Sequence, residues 1–111
     1  MATVPACDRA IIDPAKIQRY LLSPTHPVGR LKARFFGRFG FDAGNPDALI
    51  WALLSHVRDN PIATTEASSF ETKYRIEGPL PSPDGRNPRV GTVWMILNGE
   101  ALPRFVTAFP C

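Results

Sequence analysis

The sequence predicts an α+β domain in which about three amino-terminal helices pack on a four-stranded antiparallel sheet. Helix-start signals, each an acidic or amide side chain followed by proline, precede apolar residues at three- and four-residue spacing in the first 60 residues. Beyond Pro61 the chain changes to β-branched runs separated by turn residues. Because helical and strand segments are segregated along the chain, an antiparallel meander is favoured over alternating βαβ units.

Two helices are predicted from their capping residues. Asp13-Pro14 places an N-cap before a proline in the first turn, and the helix that follows should end near Leu22, before Ser23-Pro24. Asn45-Pro46-Asp47 repeats this pattern and opens a longer helix that closes at Asp59-Asn60-Pro61.

A further helix, from about Arg30 to Phe39, is predicted between these two. It follows the turn His26-Pro27-Val28-Gly29. Its apolar stripe is expected to contain Leu31, Phe35 and Phe39, with arginines beside it.

Four strands are expected over residues 62–67, 72–77, 90–97 and 105–109. Pro83-Asp84-Gly85-Arg86 and Asn98-Gly99-Glu100 supply turns between them. Simple alternation along the last strand predicts that Phe105, Thr107 and Phe109 share one face.

Length and composition indicate one domain over residues 1–111, in which residues 1–12 are expected to be a flexible segment. The chain has 44% hydrophobic and 21% charged residues, an ordinary globular composition. A domain of this size has one core, so any site is expected in a shallow surface cleft.

The net charge is +3, a mild basic bias. Its distribution is more informative, because the arginines and lysine of the second helix fall within nine residues and further arginines lie near the last two strands: Arg30, Lys32, Arg34, Arg38, Arg86, Arg89 and Arg104. This clustering is compatible with a phosphate-bearing partner, and solvated arginines on a helix face are the alternative explanation.

Cysteine usage and the amino terminus indicate a reduced, cytoplasmic protein, unless another module or a secretion system carries it elsewhere. Cys7 and Cys111 are too few for a disulfide scaffold, and no metal-ligand spacing occurs. The first residues have neither a positive start nor a long apolar core, so we expect no signal peptide and no membrane association. The prediction includes no cofactor and no metal.

Four side chains are candidates for catalysis: His26, Lys32, Lys73 and Thr107. An imidazole is suited to proton transfer near neutral pH, and an ammonium group at the rim of the core can neutralise a phosphate or a developing oxyanion. Each also has a structural explanation. The alternative for His26 is a turn residue that caps a helix or faces water, and the alternative for Lys32 is a lysine whose stem covers apolar surface.

Four further side chains are candidates for substrate binding: Arg75, Thr92, Trp94 and Arg104. Arginines can hold phosphates, a strand hydroxyl can donate to a phosphate oxygen, and an indole can stack on a base. The alternatives are a surface ion pair between Arg75 and Glu77 and an ordinary core position for Trp94. His56, late in the third predicted helix, is explained by its helix terminus.

The sequence lacks a serine triad, a phosphate-binding glycine loop, a dinucleotide fingerprint, the HExxH motif and usefully spaced carboxylate pairs. These absences disfavour proteases, glycosidases and metal-dependent hydrolases. Metal-independent phosphodiester transfer remains, because a base for the ribose 2′-hydroxyl and cations for the phosphorane-like charge are sufficient for it.

Over residues 14–110 the chain resembles an uncharacterised bacterial family, a domain of unknown function. The segments that carry the resemblance run from the first helix to the last strand: Tyr20-Leu21-Leu22-Ser23-Pro24, His26-Pro27, Gly29, Lys32-Ala33-Arg34-Phe35-Phe36, Gly40-Phe41, Thr72-Lys73-Tyr74, Glu77-Gly78-Pro79-Leu80, Pro83-Asp84-Gly85, Thr92-Val93-Trp94 and Pro103-Arg104-Phe105-Val106-Thr107-Ala108-Phe109-Pro110. The chain has Phe109 where the family pattern has tyrosine.

That family is in turn similar to the nucleases that include barnase, EndoU, colicin and RelE-type toxins. The similarity implies helices before a four-stranded antiparallel sheet whose face cleaves RNA. It favours as cleft groups His26, Lys32, Lys73, Thr92 and Thr107.

The leading hypothesis is therefore a toxin-type endoribonuclease that needs no metal, with His26 or Lys73 transferring protons and Lys32 and Arg75 holding phosphate. The alternative is a non-enzymatic module that binds a cognate protein, such as an antitoxin, immunity or accessory partner. A third possibility is the same fold with an inactive site.

Overall fold

Asp13 caps the first helix as its sequence predicts, because its Oδ1 accepts the backbone N–H of Ala15 at 2.9 Å. The structure, a computed structural model, describes residues 2–111. Helix α1 spans Pro14–Lys16 and continues without a break as a π-helix over Ile17–Leu21. The latter segment, called the π segment below, buries Ile17 and Leu21 in the core.

Helix α2 spans Gly29–Gly37, and its face differs from the predicted one. Phe36 is buried, whereas the Leu31 side chain is 62% exposed, so the assignment of Leu31 to the buried stripe is wrong. Gly29 and Phe36 lie seven positions apart and so share one face. Leu31 follows Gly29 by two positions, about 200° round the helix. The close packing of Gly29 on the π segment selects this orientation.

Helix α3 spans Pro46–Asp59, and a short 3₁₀ helix spans Cys7–Arg9 near the amino terminus. Helix α3 carries the main helical contribution to the core: Leu49, Ala52, Leu53, His56 and Val57. None of the helices within residues 2–111 combines the length and apolar character that a bilayer crossing requires.

The sheet has four strands in the order β1-β2-β3-β4, each antiparallel to its neighbour. Their bounds are Ile62–Ala67, Glu71–Pro79, Arg89–Leu97 and Arg104–Pro110. The predicted fold class, helices followed by a four-stranded antiparallel meander, is confirmed.

The two faces of the sheet differ in burial. One face is buried in the core and carries Ile76, Val90, Thr92, Trp94, Phe105 and Ala108. The other, called the open face below, carries partly or fully exposed side chains: Lys73, Arg75, Glu77, Val93, Met95, Arg104, Thr107 and Phe109.

A β-bulge at Val106 sets these faces. The pairing passes from Val93 with Thr107 to Trp94 with Phe105, so Val106 is an extra residue in β4. The prediction that Phe105 shares a face with Thr107 is therefore wrong. A strict alternation of side chains does not account for the extra residue Val106. Because of this residue, Phe105 faces the core while Thr107 lies on the open face.

The amino-terminal segments line the outer edge of β4. Lys16 Nζ donates to the carbonyl oxygens of Phe105 and Val106, at 3.4 and 3.2 Å. Ile11 forms a parallel bridge with Arg104. From the same segment, Val4 is buried in the core.

Candidate functional site

The ammonium group of Lys32 joins the helical region to the open face. Its Nζ donates to Tyr20 Oη at 2.8 Å and to Thr107 Oγ1 at 2.9 Å. An ammonium group has three donors, and within residues 2–111 these two oxygens are its hydrogen-bond acceptors. The third donor is thus available to an incoming acceptor such as a phosphate oxygen.

This arrangement lowers the pKa of the Tyr20 phenol. Burial acts in the opposite direction and raises it, but hydrogen bonds with Lys32 and Thr107, and the positive charges of Lys32 and Lys16, favour the phenolate and outweigh burial. Tyr20 is only partly buried. The site therefore contains a phenol with an increased tendency to release its proton, beside an ammonium group that stabilises the resulting charge.

Gly29 determines how closely the two helical segments approach. A Cβ atom at Gly29 would overlap the backbone carbonyl of Tyr20 and lie 2.9 Å from the Tyr20 ring. Only glycine permits this approach. It brings Lys32, three positions further along α2, within hydrogen-bond distance of the phenol.

The imidazole of His26 lies against Tyr20, with ring centroids 5.0 Å apart in an edge-to-face arrangement. Its Nδ1 accepts the backbone N–H groups of Val28 and Gly29, at 3.0 and 2.9 Å. An Nδ1 that accepts cannot carry a proton, so the neutral ring has its proton on Nε2. In this conformation His26 presents a hydrogen-bond donor, and proton acceptance by the ring would require it to give up the two backbone bonds.

Three other predicted residues lie on the open face with Thr107. Arg75 occupies the same cross-strand rung as Val93 and Thr107, and the next rung contains Lys73, Met95 and Arg104. Each cation has a carboxylate neighbour: Lys73 with Glu71 at 3.4 Å, Arg75 with Glu77 at 2.9 Å, and Arg104 with Glu100 at 3.0 Å.

The structure places the last two predicted residues, Thr92 and Trp94, inside the core. Trp94 Nε1 donates to Thr92 Oγ1 at 2.9 Å, and that oxygen lies 3.0 Å from His56 Nδ1. Both side chains are fully buried, on the face opposite Thr107. Their polar groups are satisfied within the core, so they are left out of the candidate site.

His56 completes this buried network. Its Nε2 lies 3.1 Å from the carbonyl oxygen of Gly78 and 2.9 Å from that of Val90, so Nε2 carries the proton and Nδ1 accepts from the Thr92 hydroxyl. Burial lowers the pKa of His56, and the two carbonyl bonds offset part of that effect. The network holds α3 on the sheet and does not reach the open face.

Tyr20 is the functional candidate that sequence reasoning did not select. It follows Ile17 by three positions and therefore looks like a member of an apolar helical stripe. The π-helix changes that periodicity, and π-helical turns are frequent at functional sites. The available signal was a tyrosine nine positions before a glycine and twelve before a lysine, a spacing that becomes informative only when the fold is known.

The candidate site thus consists of Tyr20, His26, Lys32 and Thr107, and it borders the cations of the open face. It brings together three of the four predicted catalytic residues, and Lys73 lies two strands and one rung from Thr107. Among residues 2–111, no three His, Cys, Asp or Glu side chains are grouped in a way that would hold a metal ion.

A family model described as Domain of unknown function (DUF6883) matches residues 3–111. No curated protein matches the chain in sequence. Among solved structures, the chain is similar to a chain of the contact-dependent growth inhibition toxin–immunity protein complex from Klebsiella pneumoniae 342. The TM-score is 0.69 at 16% identity, and the match covers 92% of this chain and 100% of the other. At this level of identity the similarity establishes a shared fold.

Proposed function

The chain belongs to the DUF6883 family, and we propose that it is a toxin-type endoribonuclease that cleaves RNA without a metal, by transfer to the ribose 2′-hydroxyl. The observation that carries the proposal is the position of the Lys32 ammonium group, between Tyr20 Oη and Thr107 Oγ1 at the border of the sheet face that carries Lys73, Arg75 and Arg104.

In the proposed reaction the ribose 2′-hydroxyl gives its proton to the ionised Tyr20 phenol. The 2′-oxygen forms a bond to phosphorus, the bond from phosphorus to the 5′-oxygen breaks, and the 5′-oxygen takes a proton from solvent. The products are a 2′,3′-cyclic phosphate and a 5′-hydroxyl. Lys32 stabilises the negative charge that develops on the phosphoryl oxygens. Such electrostatic stabilisation is usually the largest single contribution to catalysis.

In this proposal His26 contacts the substrate, whereas Thr107 positions Lys32. The Nε2–H of His26 would donate to a phosphoryl oxygen, because its Nδ1 is occupied by the Val28 and Gly29 amides. The Thr107 hydroxyl holds Lys32 at the edge of the sheet. The proton-transfer role expected for His26 or Lys73 thus passes to Tyr20.

Lys73 and Arg104 are proposed to contact phosphates that neighbour the cleaved bond. They share one rung of the open face, and their ion pairs with Glu71 and Glu100 are on the surface, where such pairs contribute little stability. Phosphate groups can therefore replace those carboxylates at small cost. Cytoplasmic RNA is the proposed substrate pool, so the cytoplasm is the proposed place of action.

The fold similarity supports a second candidate function, binding of a cognate protein. The similar chain comes from a complex of a growth-inhibition toxin with its immunity protein. Val28, the residue before helix α2, and Leu31 in its first turn are exposed close to the candidate site, and these apolar side chains suit a protein contact. A toxin-type nuclease with a protein inhibitor and an immunity-type binding module both fit this observation, and RNA cleavage distinguishes them.

The test is incubation of the purified protein with total RNA in the presence of a chelator, followed by analysis of RNA length and of the new termini. We expect cleavage with 2′,3′-cyclic phosphate ends. Lys32→Met keeps the apolar stem but removes the charge, and we expect it to lower the cleavage rate by about a hundredfold or more. Tyr20→Phe should have a similar effect.

Arg58→Met is the matched control, because Arg58 is an exposed cation on α3 whose contact is with Ser55. It should cleave as the unchanged protein does. Intact RNA with the unchanged protein, or equal cleavage by folded Lys32→Met and the unchanged protein, would remove the nuclease proposal and leave the binding module.

A further inference from the structure

Three layers are stacked on the open face: the backbone of Gly91, the ring of Phe109 and the guanidinium group of Arg75. Gly91 and Phe109 are cross-strand partners in β3 and β4. A Cβ atom at Gly91 would overlap the Phe109 ring, so the ring lies directly against the strand backbone. Glycine is thus required for this flat placement of the ring.

The guanidinium group of Arg75 covers the Phe109 ring. Its central carbon lies 4.6 Å from the ring centroid, within the range of a cation–π contact. Arg75 Nε donates to Glu77 Oε2 at 2.9 Å, and Glu77 Oε1 is itself 3.5 Å from Arg89. The planar cation is therefore held from below by the ring and from the side by the carboxylate.

The outer side of this plane is accessible. The Arg75 side chain is 43% exposed although it is held in one orientation. Ordering a long side chain at a surface costs conformational entropy, and an exposed ion pair returns little stability. An ordered and exposed guanidinium plane is, however, suited to stacking against a flat ligand.

The stack is close to the candidate site. Arg75 and Thr107 lie on one rung with Val93 between them, so their backbones are about 10 Å apart, two strand spacings. Lys32 is hydrogen-bonded to Thr107 at 2.9 Å. The phosphate site proposed at Lys32 and the Arg75 stack therefore adjoin the same rung of the open face.

We propose that the outer face of Arg75, supported by Phe109 and Gly91, is a stacking subsite for an unpaired nucleobase of the RNA whose phosphate binds at Lys32. Unpaired bases stack on aromatic rings and on guanidinium planes, and such stacking tolerates any base. The inference rests on the proposed ribonuclease function. It assigns Arg75 to the base, whereas the sequence had suggested phosphate binding.

Binding can be measured apart from cleavage with a short 2′-O-methyl RNA, because a methylated 2′-oxygen cannot attack phosphorus. The probe contains one 2-aminopurine, whose fluorescence decreases on stacking, and a second oligomer has an abasic position instead. We expect the unchanged protein to quench the probe and to bind it at least about fivefold more tightly than the abasic oligomer.

Phe109→Leu removes the ring and Arg75→Lys removes the plane while keeping the charge, and each should lower affinity for the probe at least about fivefold. Arg89→Lys is the matched control, since Arg89 contacts the same Glu77 without an aromatic ring beneath it, and it should bind as the unchanged protein does. Equal affinity for the base-bearing and abasic oligomers, or unchanged affinity in both folded variants, would overturn the subsite. If the subsite is overturned but the protein still cleaves total RNA, the proposed nuclease function is retained. If the base stacks on Arg75 but the RNA stays intact, only the nuclease function is rejected.

Discussion

Gly29 and Tyr20 are in direct backbone contact, because the absence of a side chain at Gly29 lets the first turn of α2 rest on the carbonyl of Tyr20. Every contact in the candidate site depends on this approach. The π segment supplies the phenol, α2 supplies the ammonium group three residues after the glycine, and β4 supplies the hydroxyl. A defect at Gly29 should therefore affect stability and the site together.

The first prediction is that Gly29→Ala destabilises the protein by about 1–3 kcal/mol, because the added methyl group overlaps backbone atoms that cannot move independently. The free energy of unfolding from urea titration measures this. Gly37→Ala is the control within the same helix, since nothing lies within 4 Å of its added Cβ atom. It should be neutral or slightly stabilising, and equal destabilisation by both substitutions would contradict the assigned contact.

The second prediction concerns the Tyr20 phenol. The hydrogen bond with Lys32 and its positive charge both lower the pKa of Tyr20, so removal of that charge should raise it. The chain has two tyrosines, and a Tyr74→Phe background leaves Tyr20 as the one that titrates. Ultraviolet absorbance of the phenolate then gives the pKa with and without Lys32→Met.

Arg58→Met in the same background controls for the general loss of a positive charge, and it should leave the titration of Tyr20 unchanged. An identical titration curve in Lys32→Met would show that the ammonium group does not act on the phenol. The proton-transfer role proposed for Tyr20 would then lose its physical basis.

The third prediction is that Thr92→Val costs about 2–4 kcal/mol although the two side chains have nearly the same shape. The substitution removes the oxygen between His56 Nδ1 and Trp94 Nε1 and leaves two buried polar atoms without a partner. Thr64→Val on exposed β1 makes the same chemical change at the surface and should shift stability by less than about 0.5 kcal/mol. Similar urea midpoints for the two variants would contradict a structural role for the network.

Much of the fold followed from local sequence signals. Asp13 and the prolines that open α1 and α3 locate those helices, and the β-branched runs locate all four strands to within two residues of their observed ends. These signals act within one turn or one strand, where propensity and capping determine the conformation. Lys32 and Thr107, both named from the sequence as candidate cleft groups, lie within hydrogen-bond distance of each other.

The errors arose where tertiary packing changes the local period. Leu31 is exposed because Gly29 orients α2, and Thr107 parts from Phe105 because a bulge adds Val106 to β4. Tyr20 was overlooked because it packs against the core and so resembles an ordinary member of the apolar stripe, and the π-helix there is not evident from residue spacing. Contacts between residues 75 positions apart depend on such details, which single-sequence periodicity does not contain.

The fourth prediction is that stability falls as the pH drops below about 6.5, because of His56. Burial lowers the pKa of His56 in the folded protein below its ordinary value of 6.5, so the unfolded chain binds the proton more readily. The contribution of neutral His56 to the free energy of unfolding is complete above the pKa that His56 has in the unfolded chain. It is lost progressively as the pH falls toward the lower pKa of His56 in the folded protein. Urea midpoints at pH 7.5 and at pH 5.5, roughly one unit either side of 6.5, should therefore differ, with the lower value in acid.

Because carboxylates also titrate at the acid end of this range, the assignment needs a signal from the ring itself. An NMR titration of the His56 imidazole should show that it stays neutral with its proton on Nε2 below the pH at which a free histidine is half protonated, as its bonds to the carbonyls of Gly78 and Val90 require. If the His56 ring instead became protonated at the same pH as a free histidine while the protein stayed folded, its Nδ1 would not be accepting the Thr92 hydroxyl. In that case the Thr92 hydroxyl oxygen would accept hydrogen bonds from both His56 Nδ1 and Trp94 Nε1.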